Sequence, residues 1–181
     1  ISAFVLAAGR WGRLDVDYAC IEVDEFASAE ILPRLKPDVV LLTNLFRDPM
    51  DRFGEIDIVR DRIRAAVARV PGAIVVSNCD DILSYGLASS CGRPVVTYGI
   101  SQQIFDSISS PEVRESIFCP SCGKKLAFAF FHYGQLGIYE CPYCGWRRPR
   151  PDYTAEHIAF EKQGYAFEIG GRRIHSRAKA P

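Results

Sequence analysis

No apolar run in this chain is long enough to cross a bilayer, which takes about 20 consecutive residues. The first residues, Ile1-Ser-Ala-Phe, lack the charged stretch and cleavage site of a secretory leader. Net charge is also absent, because 22 basic residues offset 22 acidic ones. A protein that grips phosphate backbones needs a basic surplus, so nucleic acid is not an expected partner. Arg147, Arg148 and Arg150 form a local basic cluster, which reads as a solvated edge. No G-x-x-x-x-G-K-[ST] loop is present to cradle nucleotide phosphates, and Gly9-Arg10-Trp11-Gly12 has no lysine. Lysine is missing altogether between Lys36 and Lys124. The expectation is a cytoplasmic protein with no transmembrane segment.

What the chain does have is two CPxCG knuckles, Cys119-Pro-Ser-Cys122-Gly and Cys141-Pro-Tyr-Cys144-Gly. Two pairs of cysteines on tight turns supply the four soft ligands of a closed tetrahedral zinc site, with a pair of disulfides as the competing reading. Gly123 and Gly145 suit the positive φ such turns need. A closed site has no open position for substrate, so it reads as a structural staple. The remaining cysteines, Cys20, Cys79 and Cys91, are an odd set that fits a reducing compartment and reads as buried, inert thiols. His132, His157 and His175 are scattered and read as surface or strand-face residues.

Ahead of the knuckles, short β-branched runs alternate with helical stretches, the pattern of parallel strands joined by crossovers. Strands are expected at 18–23, 39–43, 73–76 and 94–98. The run at 39–43 is unbroken in its apolar character, as for a strand buried on both faces. Helices are expected at 26–35, ended by Lys36-Pro37, at 55–70 with apolar residues at helical spacing, and at 82–89. Polar groups gather at the carboxyl ends of the strands: Glu22, Asp24 and Glu25, then Asn44 to Asp48, then Asn78 to Asp81. Ligands bind at that edge of an open parallel sheet. Asp24, Asn78, Asp80 and Asp81 have a second reading, as caps of the helices that follow. After the knuckles, residues 153–174 read as strands with a hairpin turn at Ile169-Gly170-Gly171-Arg172. Three parts are therefore expected: an α/β unit over 1–116, a zinc ribbon insert over 117–150 and a β-rich return over 151–181.

The segment Thr43-Asn44-Leu45-Phe46-Arg47-Asp48-Pro49-Met50-Asp51-Arg52-Phe53-Gly54-Glu55-Ile56-Asp57 resembles a signature of the Mur ligase superfamily, in its MurT branch. Glu22-Val23-Asp24-Glu25 is similar to an acidic motif that follows a central-domain strand there, and Ser77-Asn78-Cys79-Asp80-Asp81 to the Asn-Ala-Asp-Asp turn. The ribbon with Trp146-Arg147-Arg148-Pro149-Arg150-Pro151 is similar to the insert that sets that branch apart. Four motifs in the expected order cover 1–174.

The resemblance implies a Mur ligase central-domain α/β fold with an inserted four-cysteine ribbon. It also implies the ligase subunit of lipid II isoglutaminyl synthase, working with a GatD-type glutaminase at the inner face of the membrane. ATP would activate the D-glutamate α-carboxylate of the lipid II stem peptide as an acyl phosphate, and ammonia from the partner would give D-isoglutamine. By motif position Glu22 is the magnesium carboxylate and Asp48 organises the substrate side. Asn44, Asn78, Asp80 and Asp81 would serve the nucleotide, with ATP, Mg²⁺ and structural Zn²⁺ as cofactors. Two positions depart from the family. The missing lysine removes the carbamylated lysine that many members use to bridge magnesium, and Pro49 stands where many place histidine or glutamine. The family's phosphate loop lies upstream of the position of Ile1 and its last domain beyond that of Pro181, so a central-domain fragment, inactive alone, is expected. The reading from another class is a zinc-ribbon binding or scaffolding module without catalysis.

Overall fold

A computed structural model describes residues 15–45, 56–103, 117–162 and 164–177. Among the described residues, three helices and four parallel strands form the first layer pair. Helix α1 (Glu25–Leu35) starts at Asp24, whose carboxylate accepts from the N–H groups of Phe26 and Ala27, satisfying two of the four orphan donors of the first turn. It stops where Lys36 turns left-handed (φ 50°) and returns its N–H to Leu32 O. Strand β1 (Val39–Leu42), helix α2 (Ile56–Ala68), strand β2 (Ile74–Asn78), helix α3 (Ile82–Ser90) and strand β3 (Val95–Ile100) follow in order. Strands β1, β2 and β3 pair in parallel, with Leu41 opposite Val76 and Val76 opposite Val96.

One face of this sheet carries the main core. Val40, Leu42 and Val75 pack with Leu32 of α1, with Val59, Ile63, Ala66 and Val67 of α2, and with Leu83, Leu87 and Ala88 of α3. The apolar stripe of α2 accounts for its helical period, since each of those four residues lies on the sheet-facing side. The other face is open at β1. Val39 and Leu41 are 51% and 57% exposed, and Ile74, the partner of Val39, is 39% exposed. This corrects the expectation of a strand buried on both faces: an unbroken apolar run does not reveal that only alternate residues are covered. The segment 18–23 likewise forms no strand, and Tyr18 and Ile21 are exposed. Among the described residues no strand of the sheet pairs with it to satisfy its backbone, and β propensity alone does not supply one.

Beyond β3 comes the insert, with a hairpin of β4 (Ala127–Tyr133) and β5 (Leu136–Glu140). The chain then returns as β6 (Tyr153–Glu161), which adds in parallel to β3, so the sheet runs β1-β2-β3-β6-β7-β8. Strands β7 (Gly164–Ile169) and β8 (Arg172–Ser176) extend it as an antiparallel meander. Gly170 and Gly171, with φ of 56° and 75°, make the expected two-residue turn, whose twist matches that of the strands it joins. Among the described residues, no helix is long and apolar enough to cross a membrane.

Candidate functional site

The knuckles form one cluster. Gly123 N–H donates to Cys119 O at 2.8 Å and Gly145 N–H to Cys141 O at 3.0 Å, with both glycines at positive φ. Each turn is closed from the other side, Cys119 N–H to Lys124 O and Cys141 N–H to Trp146 O, both at 2.7 Å. The four Sγ atoms lie within 4.8 Å of one another. Cys119 Sγ stands 3.6 Å from Cys144 Sγ, and Cys122 Sγ 3.5 Å from Cys141 Sγ. A disulfide would bring sulfurs to about 2.05 Å. Thiolates around a tetrahedral ion with metal–sulfur bonds of about 2.3 Å sit just under 4 Å apart, so the donor set fits a metal ion.

The ribbon does not hang free of the sheet. Cys119 and Cys141 share an apolar cluster with Leu126, Tyr139 and Ile82, the first residue of α3. Trp146 stacks on Tyr139, with ring centroids 5.2 Å apart, and lies 5.8 Å from Tyr85 of α3.

This packing brings β5 across the turn after β2. Alternate residues meet successive positions of the turn: Tyr139 OH donates to Cys79 O at 3.0 Å, Gly137 N–H to Asp80 O at 3.0 Å, and Gln135 Nε2 to Asp81 Oδ1 at 2.7 Å. Gln135 Nε2 also reaches Leu45 O at 2.9 Å. Arg148, leaving the second knuckle, donates from Nε to Asp80 Oδ1 at 2.6 Å and from Nη2 to Ile100 O at 3.1 Å. Asp80 Oδ2 accepts from Ile100 N–H at 2.8 Å.

Asp81 is fully buried and caps α3. Its Oδ2 accepts from Ser84 N–H, Ser84 Oγ and Leu45 N–H, and its Oδ1 from Gln135. Asn78 donates from Nδ2 to Asn44 Oδ1 at 2.8 Å and accepts from Asp80 N–H at 3.0 Å, tying the ends of β1 and β2 together. That bond uses Asn44 as acceptor, so it does not commit the NH₂ group of Asn44.

Burial pushes the Asp80 carboxyl up from its ordinary value, while Arg148 and the Ile100 N–H act against it. Burial pulls the His132 imidazole down, opposed by Asp80. His132 is 4% exposed, its Nε2 lies 3.9 Å from Asp80 Oδ2, and among the described residues neither ring nitrogen meets a hydrogen-bond partner. Burial also lifts the Cys79 thiol to about 12, so it is an inert group.

The structure therefore gathers Asn44, Asn78, Asp80 and Asp81 at the carboxyl edge. Glu22 is exposed in the segment leading into α1 and makes none of these contacts, and Asp48 lies outside the described residues. One expectation is corrected: Arg148, expected on a solvated edge, has a side chain only 6% exposed, because Asp80 draws it into the sheet end. Of the two readings of His132, surface or strand face, the structure gives a strand position, buried on β4. Cys79 and Cys91 are buried as expected, but Cys20 is exposed. Sequence reading does not single out Gln135 or Tyr139, and it names Arg148 only as part of a basic cluster. The period of two along 135, 137 and 139 was the available sign, and it does not say what the strand faces.

No protein-family model matches the chain. It is 36% identical over 152 residues, 84% of its length, to the lipid II isoglutaminyl synthase (glutamine-hydrolyzing) subunit MurT of Staphylococcus aureus (strain COL). The Streptococcus pneumoniae (strain ATCC BAA-255 / R6) subunit MurT is 32% identical over 163 residues. This chain is a MurT homologue. It spans about a third of those MurT relatives, 33% and 36% of their lengths. A shorter match, 30% identical over 89 residues, is to the UDP-N-acetylmuramate–L-alanine ligase of Solibacter usitatus. Among solved structures, a pseudomurein peptide ligase type C from Methanothermus fervidus superposes with a TM-score of 0.60 at 28% identity. That match covers 81% of this chain and 28% of that one. The mostly parallel α/β sheet is thus that of a peptide-ligase neighbour, as the motifs common to MurT implied.

Proposed function

We propose that this chain is the central-domain segment of an ATP-dependent amide ligase that converts the D-glutamate α-carboxylate of the lipid II stem peptide to D-isoglutamine. A GatD-type glutaminase would supply the ammonia, and the work would be done at the cytoplasmic face of the membrane. The likeness to MurT over 84% of the chain carries the proposal. ATP would supply the activation, giving an acyl phosphate whose phosphate ammonia displaces, with Mg²⁺ offsetting the phosphate charge.

The chain's own part is positioning. The hydrogen-bonded amides Asn44 and Asn78 present neutral donors and acceptors at the sheet's carboxyl edge, suited to orienting a nucleotide without adding negative charge. Asp80 and Asp81 hold the turn beneath them. Glu22, exposed, is free to serve as the single carboxylate that Mg²⁺ commonly takes from protein, and Asp48 is proposed for the substrate side. The four-cysteine cluster is proposed to hold structural Zn²⁺.

The test is amidation of lipid II by the complete gene product with its glutaminase, followed by mass spectrometry of the stem peptide. Glu22→Ala should abolish ATP-dependent amide formation, and near-normal turnover would refute the role. One observation favours the second reading, a ribbon scaffold without catalysis: both Asp80 and Asp81 are committed to contacts within the chain. Failure of the complete protein to bind or hydrolyse ATP would select that reading.

A further inference from the structure

We propose that the metal-loaded ribbon positions the strand-end amides, with Gln135 and Arg148 as the positioning residues. The proposal concerns how Asn44 and Asn78 are held and stands apart from what they bind.

The first ground is register. Gln135, in the turn that enters β5, and Gly137 and Tyr139 of β5 meet 81, 80 and 79 in order, through a side chain, a backbone N–H and a side chain. Three contacts in step fix the hairpin along the turn as well as against it. The second ground is where the contacts end. Gln135 joins Leu45 O, after β1, to Asp81 Oδ1, after β2, while Asp81 Oδ2 accepts the Leu45 N–H. Leu45 is thus held at both backbone groups by this pair, and Leu45 follows Asn44 directly. Arg148 joins Asp80 to Ile100 O at the end of β3, and Asp80 N–H in turn bonds Asn78. The ends of three strands are tied together through two ribbon side chains.

Metal enters through packing. Gln135 and Arg148 lie on either side of β5 in the chain, and β5 runs into Cys141. Cys119 and Cys141 are 2% and 1% exposed within the cluster that contains Tyr139 and Ile82. Without an ion the four cysteines lose the bonds that join the two knuckles, which opens them and frees the Cys141 end of β5. With the strand loosened, Gln135 and Arg148 lose the register that puts them on Leu45, Asp81, Asp80 and Ile100.

The experiment is residue-resolved amide hydrogen exchange on the zinc-loaded complete gene product, on the same protein after chelation, and on zinc-loaded Gln135→Ala and Arg148→Lys. The amides of Leu45 and Ile100 report directly, because their acceptors are Asp81 Oδ2 and Asp80 Oδ2. Gln135→Ala should speed exchange at Leu45 and Arg148→Lys at Ile100, each by about tenfold, while Ile63 and Val67 of α2 keep the parent rate. Lysine does not rescue, since one ammonium lacks the planar fork that spans Asp80 and Ile100. Chelation should release both amides. Parent-rate exchange at Leu45 and Ile100 in both variants overturns the proposal, and so does protection of these amides that survives chelation. If chelation unfolds the whole chain, the two zinc-loaded variants decide.

Discussion

Arg148 meets Asp80 over a glycine: a Cβ on Gly99 would sit 2.6 Å from Arg148 Nη2, 2.7 Å from Asp80 Oδ1 and 3.0 Å from Cys79 Sγ. The buried ion pair therefore needs the missing side chain of β3. Gly99→Ala should cost about 1–3 kcal/mol by overpacking. Arg148→Ala should cost more, about 3–5 kcal/mol, because the Asp80 carboxylate is left buried with its cation gone. Urea unfolding midpoints of the two variants against the parent check both the size and the order.

His132 predicts an acid-side slope in stability. Burial holds its folded pKa below 6.5, so between that lower value and 6.5 the unfolded chain binds the extra proton and the folded chain does not. The contribution is complete above 6.5 and is lost as pH falls below it. The charged groups beside the ring are Asp80 and Arg148. Asp80, raised by burial, acts with the opposite sign from its ordinary 3.8 upward. Comparing His132→Phe with the parent isolates the imidazole. The variant should lose the steeper fall below pH 6.5 in denaturant melts, and parallel curves would contradict the assignment.

Asp152 makes a separate prediction, at the junction of β3 and β6. Its Oδ2 accepts from Thr97 N–H at 2.7 Å and from Thr97 Oγ1 at 2.9 Å, and its own N–H returns to Thr97 Oγ1 at 3.1 Å. These donors hold its carboxyl below 3.8, so its stabilisation is present above that value and is lost as pH falls through the lower folded one. Asp152→Asn should flatten stability below pH 4 and leave the His132 window unchanged, as read by thermal melts across pH 2.5 to 7.

Metal removal should show in thiol chemistry. With zinc bound, Cys20 is the exposed cysteine outside the cluster, and Cys79 and Cys91 are buried. A thiol reagent should therefore label Cys20 first. Chelation should add Cys119, Cys122, Cys141 and Cys144 to the fast set, together with release of about one zinc per chain. Labelling of the four before chelation, with no metal released, would show a cluster that holds no ion.

Much of the fold is local and was readable as such. Each helix announces itself through an apolar period or a cap, as at Asp24 and Asp81, and each knuckle through four or five adjacent residues. The docking of the ribbon was not readable. Gln135 meets Asp81 across 54 residues and Leu45 across 90, and Arg148 meets Asp80 across 68. Nothing at either end of such a contact names the other. Arg148 and His132 carry the same side chains whether solvated or enclosed, and only the landing place of the hairpin decides which. The segment 18–23 failed in the opposite way, since its composition favours a strand that its surroundings do not complete.

The in-step contact of 135, 137 and 139 with 81, 80 and 79 also limits how the insert can change in length over evolution. Deleting or adding one position between 135 and 139 puts these three contacts out of step with 81, 80 and 79. Length variation should therefore gather elsewhere in the insert. Sequences that break this spacing should also have exchanged Gln135, whose bonds to Leu45 O and Asp81 depend on it.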